Sequence, residues 1–523
     1  MNWSQQTIIA TILVMLQKIS ITYNSSPFIV DDLHYYELLD YDPKSTITIH
    51  NRHKRSTSHQ NNLDKIEISF SAHNQKFHLE LKRDYSIFHN DIKIHDGRNQ
   101  TLPLNHGNLN LYDGLVKSSL FSSKGYCFGS ISDGIFDGQI LTDEGTYYIT
   151  KIPPPMSHAL NYTAHSIIYH ENHVKETKES QNHACGVKDN DNEWMNDARN
   201  FMSNNTMEEK KKKNQISHFS DQSIKEKQNA QTRPKRHANS NDRDSSKNTR
   251  KWCSLYIRTD GMLWDAIQKE EFGDLRSSLK NDEKTRAKIT ELIHKHVKKL
   301  NIIMEDTDVG EKISLLQFKI LRLDILKPGK PDCEPFCEKN LDSSPFLDVQ
   351  SQADHSNYCL AYAFTYRDWT EGTLGVAWIA GLNQAGGICE NYKRISFIKN
   401  QYRSRNTGVV TLKNSGRRIP LPKSELTFAH EVGHNLGSPH DENEEGTKKC
   451  LGNNEDGKFL MYAYSNSGNL KNHQKFSKCS TDKIGTVFDG LERLHDDGCL
   501  KPFDGSFCGD GILQKGRLSM WHS

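Results

Sequence analysis

The stretch that decides the fold is residues 424–441, which read SELTFAHEVGHNLGSPHD. It contains the pattern H-E-x-x-H-x-x-G-x-x-H, formed by His430, Glu431, His434, Gly437 and His440. Residues i and i+4 lie on one face of a helix, so His430 and His434 can direct two imidazoles at one ion. A glycine can end a helix in the left-handed conformation, and His440 can then return as a third ligand. Three protein nitrogens leave one tetrahedral position open, which is typical of a catalytic zinc.

Glu431 lies beside the first of these ligands, where its carboxylate can hold a water molecule rather than the metal. Zinc lowers the pKa of its water towards ~7, and Glu431 can take the proton as hydroxide attacks a carbonyl. The alternative is a helix that happens to carry three histidines, in a chain with 25 of them. The glycine and third histidine at fixed offsets argue against it, because the extended pattern is the metzincin signature. The motif therefore predicts a zinc peptidase.

The composition limits what else the chain can be. Its 523 residues suffice for two or three domains, but only 35% are hydrophobic, so part of the chain is not expected to pack. A net charge of +2, from 68 basic and 66 acidic residues, gives no case for nucleic-acid binding. Eleven cysteines fit an oxidising compartment better than the cytosol.

The N-terminus predicts entry into the secretory pathway. Residues 8–16 read IIATILVML, an apolar run that suits a signal peptide and is too short to span a bilayer. We therefore assign residues 1–23 as a signal peptide and expect an extracellular protein. No later stretch approaches 18 apolar residues, so no membrane span is expected in this chain.

Residues 24–186 are expected to form a mostly β domain. Residues 66–70 (IEISF) and 77–81 (FHLEL) alternate apolar and polar side chains, as half-buried strands do. Residues 129–131 and 146–149 are further strand candidates. Four glycosylation sequons suit a secreted surface, and they begin at Asn24, Asn99, Asn161 and Asn204.

Residues 187–250 are expected to be a disordered linker, because apolar residues almost vanish there and cannot offset the entropy of ordering. The linker contains Arg233, Pro234, Lys235 and Arg236, a basic cluster of the kind that secretory proprotein convertases cut after its last residue. The alternatives are a solvated basic run or a nuclear-localisation patch. A second such cluster occupies residues 52–55.

Residues 251–502 are predicted to be an α/β domain with a mixed sheet and a long zinc-binding helix. Strand patterns occur at residues 255–257, 316–320, 359–364, 374–379 and 408–412. Before the second strand, a long helix is expected, capped by Asn281 or Asp282. Strands that alternate with helices favour this α/β class.

The residues around the motif resemble the adamalysin, or disintegrin-and-metalloprotease, family, and most closely its Kuzbanian-like branch. The strongest similarity is TFAHEVGHNLGSPHDEN at residues 427–443. Similar stretches in the catalytic part are residues 358–369, 374–378, 386–390, 461–463 and 475–479, and in the prodomain residues 81–88 and 166–171. The resemblance covers residues 30–185 and 250–512 and implies a prodomain followed by a metzincin (zincin-like) catalytic domain.

By this resemblance, His430, His434 and His440 match the zinc ligands, Glu431 the general base, and Met461 the methionine beneath the zinc site. An ordinary core methionine is the alternative for Met461. The segment Leu374, Gly375, Val376 and Ala377 is similar to the edge strand to which peptide substrates add as an extra strand. Members of the family cut extracellular stalks of membrane proteins, and the Kuzbanian branch cuts Notch-type receptors.

The resemblance also assigns roles to the cysteines. Cys185, in HACGV, is similar to a cysteine switch whose thiolate occupies the open zinc position in the zymogen. The alternative is a disulfide between Cys185 and Cys127. The implied disulfides in the catalytic domain are Cys253–Cys359, Cys389–Cys499 and Cys450–Cys479, and Cys333 and Cys337 can pair with each other.

The chain departs from the family near its end. Residues 507–511 (FCGDG) resemble the start of the disintegrin module, but residues 514–523 do not continue it. We therefore interpret residues 503–523 as a truncated disintegrin start. This truncation leaves Cys508 without its usual partners. The functional hypothesis is a secreted zymogen of a zinc endopeptidase acting on protein ectodomains. The alternative is a catalytically silent decoy or inhibitor of a full-length relative.

Overall fold

The computed structural model describes two regions of the chain. The described residues are 29–44, 46–47, 65–95, 101–102, 110–118, 125–153, 164–175, 249–273, 278–310, 313–329, 335–336, 338–382, 386–395, 401–443, 450–490 and 498–503. We call residues 29–175 the N-terminal region and residues 249–503 the C-terminal region. The predicted signal peptide and nearly all of the predicted linker lie outside the described residues, as do the four sequons and both basic clusters.

The N-terminal region is a mostly β domain, as predicted. Its strands are β1 (Glu37–Leu39), β2 (Ile66–Ala72), β3 (Gln75–Arg83), β4 (Phe88–His95), β5 (Thr101–Leu102), β6 (Leu111–Ser118), β7 (Gly125–Ser132), β8 (Ile135–Thr142), β9 (Gly145–Lys151) and β10 (Ser166–His170). Eight of them form an antiparallel sheet in the order β1-β10-β9-β8-β7-β6-β3-β2. Strand β2 buries every second residue, which explains its alternating sequence.

Strand β4 leaves this sheet and joins the sheet of the C-terminal region. It pairs in parallel with a strand more than 200 residues later in the chain, with Ile94 opposite Leu323. The backbone N–H of Ile320 also donates to the carbonyl oxygen of Ile87, at 2.7 Å. The two regions therefore share one sheet, although the sequence predicted them as separate domains.

The C-terminal region is built on a mixed sheet, which confirms the predicted fold class. Its strands are β11 (Thr249–Thr259), β12 (Ile313–Ile325), β13 (Leu360–Asp368), β14 (Gly375–Ala377), β15 (Lys393–Ile395), β16 (Gln401–Arg403), β17 (Thr407–Asn414), β18 (Arg417–Arg418) and β19 (Lys501–Pro502). The main order is β14-β17-β13-β11-β12-β4-β5, in which β12, β11, β13 and β17 run parallel and β14 runs antiparallel at one end. Because β4 and β5 occupy the other end, the N-terminal region extends the sheet at the end remote from β14.

Five helices accompany this sheet among the described residues: α1 (Gly261–Phe272), α2 (Leu279–Glu305), α3 (Ser343–Ser351), α4 (Leu421–Leu436) and α5 (Lys478–Gly490). The predicted cap of α2 is wrong. Its N-cap is Ser278, whose hydroxyl oxygen accepts from the N–H of Asn281 at 3.2 Å. Asn281 and Asp282 lie in the first turn, where the carboxylate of Asp282 instead binds Lys327 at 2.7 Å. Among the described residues, no helix combines the length and the apolar character that crossing a bilayer requires.

Helices α2 and α4 contact the sheet of the N-terminal region. Ser130 of β7 donates to Glu291 of α2 at 2.9 Å, and Gln139 of β8 donates to Glu425 of α4. All four side chains are buried. The N-terminal region thus covers polar groups of two helices of the C-terminal region, one of which carries the metzincin motif.

Three disulfides join described residues of the C-terminal region. They join Cys253 to Cys359, Cys389 to Cys499 and Cys450 to Cys479, with Cα atoms 5.3, 5.8 and 5.8 Å apart. These are the pairs that the family resemblance implied. Cys127 is a free, buried cysteine in β7. Its possible partner Cys185, and Cys333, Cys337 and Cys508, lie outside the described residues.

Candidate active site

Helix α4 brings the three motif histidines together. His430 and His434 lie one turn apart near its C-terminal end, and their Nε2 atoms are 3.1 Å apart. His440 follows the helix, and one nitrogen from each of the three rings lies within 4.8 Å of the others. All three side chains are buried, at 4%, 0% and 3% exposed. Three buried imidazoles that converge in this way form a site that fits a divalent metal ion with nitrogen ligands.

Backbone carbonyls orient two of the rings. Nδ1 of His430 lies 2.7 Å from the carbonyl oxygen of Leu460, and Nδ1 of His434 lies 2.8 Å from that of Ser438. Because a carbonyl only accepts, each Nδ1 carries the proton and each Nε2 presents its lone pair to the other rings. Burial, with a smaller contribution from His440, lowers the pKa of His430 to about 3. The ring is therefore neutral at physiological pH, as a metal ligand must be.

Two glycines of α4 explain the local geometry. Gly437 caps the helix with φ of 114°, in the left-handed region, so the chain can turn back towards His440. A side chain at Gly433 would place its Cβ 2.5 Å from the sulfur of Met461. Gly433 therefore lets the fully buried Met461 pack directly against the helix between the first two histidines.

Glu431 lies between α4 and the end strand β14. It is fully buried, and a Cβ built on Gly375 would lie 2.6 Å from its Cγ and 2.7 Å from its Oε1. Strand β14 pairs with β17 on one side, with Val376 opposite Val409, and occupies the end of the sheet. Strand β14, at the end of the sheet, therefore contacts the carboxylate of the residue that follows the first motif histidine. The predicted edge segment 374–377 matches this strand, except that Leu374 precedes its first residue.

A small recess lies next to His430. Its walls come from Leu426 and Thr427 of α4, from Leu374, and from the segment of Leu460 and Tyr462 that follows the motif. Apolar groups make up most of the surface of these walls, and the volume of the recess is about 20 Å³, which is room for a group no larger than a water molecule.

Sequence reasoning missed two residues that hold the site in place. Asn435 accepts a hydrogen bond from Tyr362 of β13 and donates to the carbonyl oxygen of Trp378 at 2.7 Å. Asp441, the residue after His440, accepts from Ser477 at 2.5 Å and from Ser480 at 2.8 Å. Both positions are adjacent to a motif histidine, and this adjacency was the only signal in the sequence.

Other predicted functional residues lie outside the described residues. They are the cysteine-switch candidate Cys185 and the processing residues Arg233, Lys235 and Arg236. The predicted disintegrin start after residue 503 also lies outside.

A mixed α/β sheet, a helix with three convergent histidines and a methionine packed beneath them define a metallopeptidase domain of the metzincin class. Comparison with known proteins agrees. The model of the reprolysin-like metallo-peptidases of family M12B matches residues 286–490. The chain is also 32% identical, over 493 residues, to disintegrin and metalloproteinase domain-containing protein 10 of Homo sapiens, with 93% of this chain and 59% of the human protein covered.

Two proteins of Caenorhabditis elegans are similar as well. The homolog of protein 10 is 34% identical over 530 residues, which cover 92% of this chain and 53% of that protein. The homolog of protein 17 is 28% identical over 174 residues, which cover 31% of this chain and 24% of that protein. Residues 286–490 thus match the reprolysin-like metallo-peptidases, and most of the chain is similar to disintegrin-and-metalloprotease proteins. The chain spans between half and two thirds of the length of the protein 10 relatives that it matches.

Proposed function

We propose that this protein is a zinc-dependent endopeptidase that is made as a secretory zymogen. The observation that carries the proposal is the convergence of three buried imidazoles at the end of the helix that also carries Glu431. Neutral nitrogen ligands in a three-histidine set suit zinc, with one coordination position left for the reaction. His430, His434 and His440 would hold the ion.

A zinc ion held there would polarise the scissile carbonyl and acidify a water molecule. Glu431 would accept the proton of that water and deliver it to the departing amine. Its burial against Gly375 keeps the carboxylate in one position. The carbonyl oxygens of Leu460 and Ser438 would hold the histidine rings in the orientation that binding requires.

Strand β14 supports an extended peptide as the substrate. A terminal strand has backbone N–H and C=O groups on its outer side, to which a peptide can add as a further strand. The same strand lies against Glu431 through Gly375, so a peptide on β14 would pass the catalytic carboxylate. The recess next to His430 would then lie near the scissile bond of such a peptide.

The N-terminal region would act as the inhibitory prodomain. Its contacts with α2 and α4 support this role, because it would bury Glu425 on the helix that carries the histidines. We propose that a secretory proprotein convertase cuts after Arg236 and that Cys185 occupies the open metal position until then. By the family resemblance, the substrates are ectodomains of membrane proteins, with Notch-type receptors among them.

The test uses the full chain, secreted and then cut by a convertase at Arg236. We expect the processed protein to cleave a fluorogenic peptide, to lose this activity when a chelator is added, and to regain it with zinc. The protein should contain about one equivalent of zinc. Glu431→Ala should lose the cleavage activity but keep the zinc. A processed protein without metal, or cleavage that survives Glu431→Ala, would refute the proposal. The second hypothesis, a silent decoy, predicts zinc binding without peptide cleavage.

A further inference from the structure

A cavity of about 970 Å³ lies between the two regions, close to the candidate active site. The N-terminal region contributes Asp32, Val174 and Lys175 to its walls. The C-terminal region contributes the turn between β17 and β18, the start of α4, and the loop of residues 453–473.

This cavity adjoins the recess next to His430. Five residues line both spaces: Lys423, Tyr462, Tyr464, Ser465 and Asn466. The recess and the cavity are therefore adjacent, and the side chains of these five residues form the boundary between them.

The cavity is strongly basic. Its cations are Lys175, Arg417, Arg418, Lys423 and Lys458, and among the described lining residues Asp32 alone is acidic. Arg418 is held by an ion pair with Glu270. Lys458 places its ammonium 5.6 Å from the ring centre of Tyr462, one of the five shared residues. Three of the cations of the C-terminal region, Arg417, Lys423 and Lys458, therefore lie around the cavity beside the recess.

The acid that lies in this basic cavity belongs to the N-terminal region. Oδ1 of Asp32 lies 3.6 Å from the guanidinium of Arg417, and the Asp32 side chain is only 18% exposed. Cations that already bind one carboxylate are electrostatically suited to binding the carboxylate of a ligand. When the N-terminal region departs, Arg417 loses this partner and the basic wall becomes accessible from the cleft.

We propose that this basic wall is a specificity site of the mature protease. It selects peptides with an aspartate or glutamate close to the scissile bond. In the zymogen, the carboxylate of Asp32 occupies the position that the substrate carboxylate takes later. The inference rests on the proposed function, because it assigns a substrate class to the same cleft. Arg417 and Lys458 are the specificity residues, and Lys423 lines both the cavity and the recess.

The test compares peptide pairs that differ only in glutamate or glutamine, at each of three positions on either side of the scissile bond. With the full chain processed at Arg236, we expect kcat/KM for the glutamate peptide to exceed that for its glutamine partner about five- to tenfold at the best position. Arg417→Met and Lys458→Met should bring the ratio towards one. Both side chains lie at the surface or only partly buried, so the variants should fold.

Lys501→Met, which removes an exposed cation outside the cavity, is the matched control and should keep the wild-type ratio. Binding of the same peptides to processed Glu431→Ala, followed by fluorescence anisotropy, reports selectivity without hydrolysis. A ratio of one at all six positions, or a ratio that neither cation variant changes, would overturn the inference. Failure to cut any peptide would count against the proposed function instead, and anisotropy would still decide the acid preference.

Discussion

Lys298 of α2 and Asp84 of the N-terminal region form a buried ion pair across the boundary of the two regions, with Nζ and Oδ2 2.8 Å apart. The side chains are 2% and 3% exposed. His294 lies 3.1 Å from the same oxygen, and Asp113 lies 3.3 Å from the ammonium group. Burial raises the pKa of Asp84, but Lys298 and His294 outweigh burial and hold that pKa below its usual range. The attachment of the N-terminal region therefore depends on charges that balance one another away from water.

We predict that Lys298→Met destabilises the unprocessed chain, because it leaves the carboxylates of Asp84 and Asp113 buried without their cation. Loss of one partner from a buried pair costs roughly 3–5 kcal/mol. Thermal unfolding of the zymogen should show a clear fall in Tm.

The control for this change is Lys280→Met, at the exposed start of the same helix, which should leave Tm unchanged. The double variant Lys298→Met with Asp84→Leu should recover part of the loss, because it removes a charge of each sign. Equal Tm values for Lys298→Met and Lys280→Met would show that the pair does not stabilise the fold.

This buried cluster also shows where sequence reasoning reached its limit. The spacing of His430, His434 and His440 predicted the site because one helix and one glycine turn fix their relative positions, and no distant partner is needed. The lysines of α2 are different. Lys295 and Lys298 are buried against Asp137, Asp84 and Asp113 of the N-terminal region, and helix period alone does not reveal these partners.

Strand β4 shows that strand pairing between the two regions also could not be predicted from the sequence. No strand was predicted at its residues, and even a clear strand pattern does not state which sheet the strand joins. The pairing of Ile94 with Leu323 joins residues more than 200 positions apart, and no local pattern specifies such a contact. Features that depend on helix period and motif spacing could therefore be predicted from the sequence. Contacts between residues of the two regions could not.

The contact between Gly375 and Glu431 leads to a prediction about catalysis. We expect Gly375→Ala to reduce kcat/KM by about 100-fold or more, because its Cβ would displace the carboxylate, and misplacement of about 1 Å costs this much. Zinc content should stay at the wild-type value, since the three atoms nearest to a Cβ at Gly375 all belong to Glu431 and none to a histidine. Gly485→Ala in α5, where a Cβ meets nothing closer than 3.5 Å, is the matched control. Full activity of Gly375→Ala would mean that Glu431 has room to move.

Asn435 ties the histidine helix to the sheet, and its loss should weaken both stability and activity. Asn435→Ala removes the donor to the carbonyl oxygen of Trp378 and the acceptor of the Tyr362 hydroxyl, all buried groups. An unsatisfied buried polar group costs about 1–3 kcal/mol, so Tm should fall together with kcat/KM. Tyr362→Phe removes one of these bonds and should cause a smaller fall. An Asn435→Ala protein with unchanged Tm would exclude this anchoring role.

Glu425 should make the stability of the zymogen depend on pH. Burial raises the pKa of its carboxyl to about 8, against the opposing effect of Lys299, whose own pKa burial lowers. The pKa in the folded protein is thus above the value of about 4.5 for an exposed glutamate. Stability from the protonated carboxyl is fully present below pH 4.5 and is lost as the pH rises through about 8.

Glu425→Gln cannot titrate, and its amide oxygen can still accept the hydrogen bond from Gln139. We therefore expect the unprocessed variant and wild type to have similar Tm values at pH 5, and the variant to be the more stable at pH 8.5. Effects of the other titrating groups cancel in this difference. Glu283→Gln, at an exposed position of α2, should show no such divergence. If the difference in Tm between Glu425→Gln and wild type is the same at both pH values, Glu425 is not the buried acid that the N-terminal region covers.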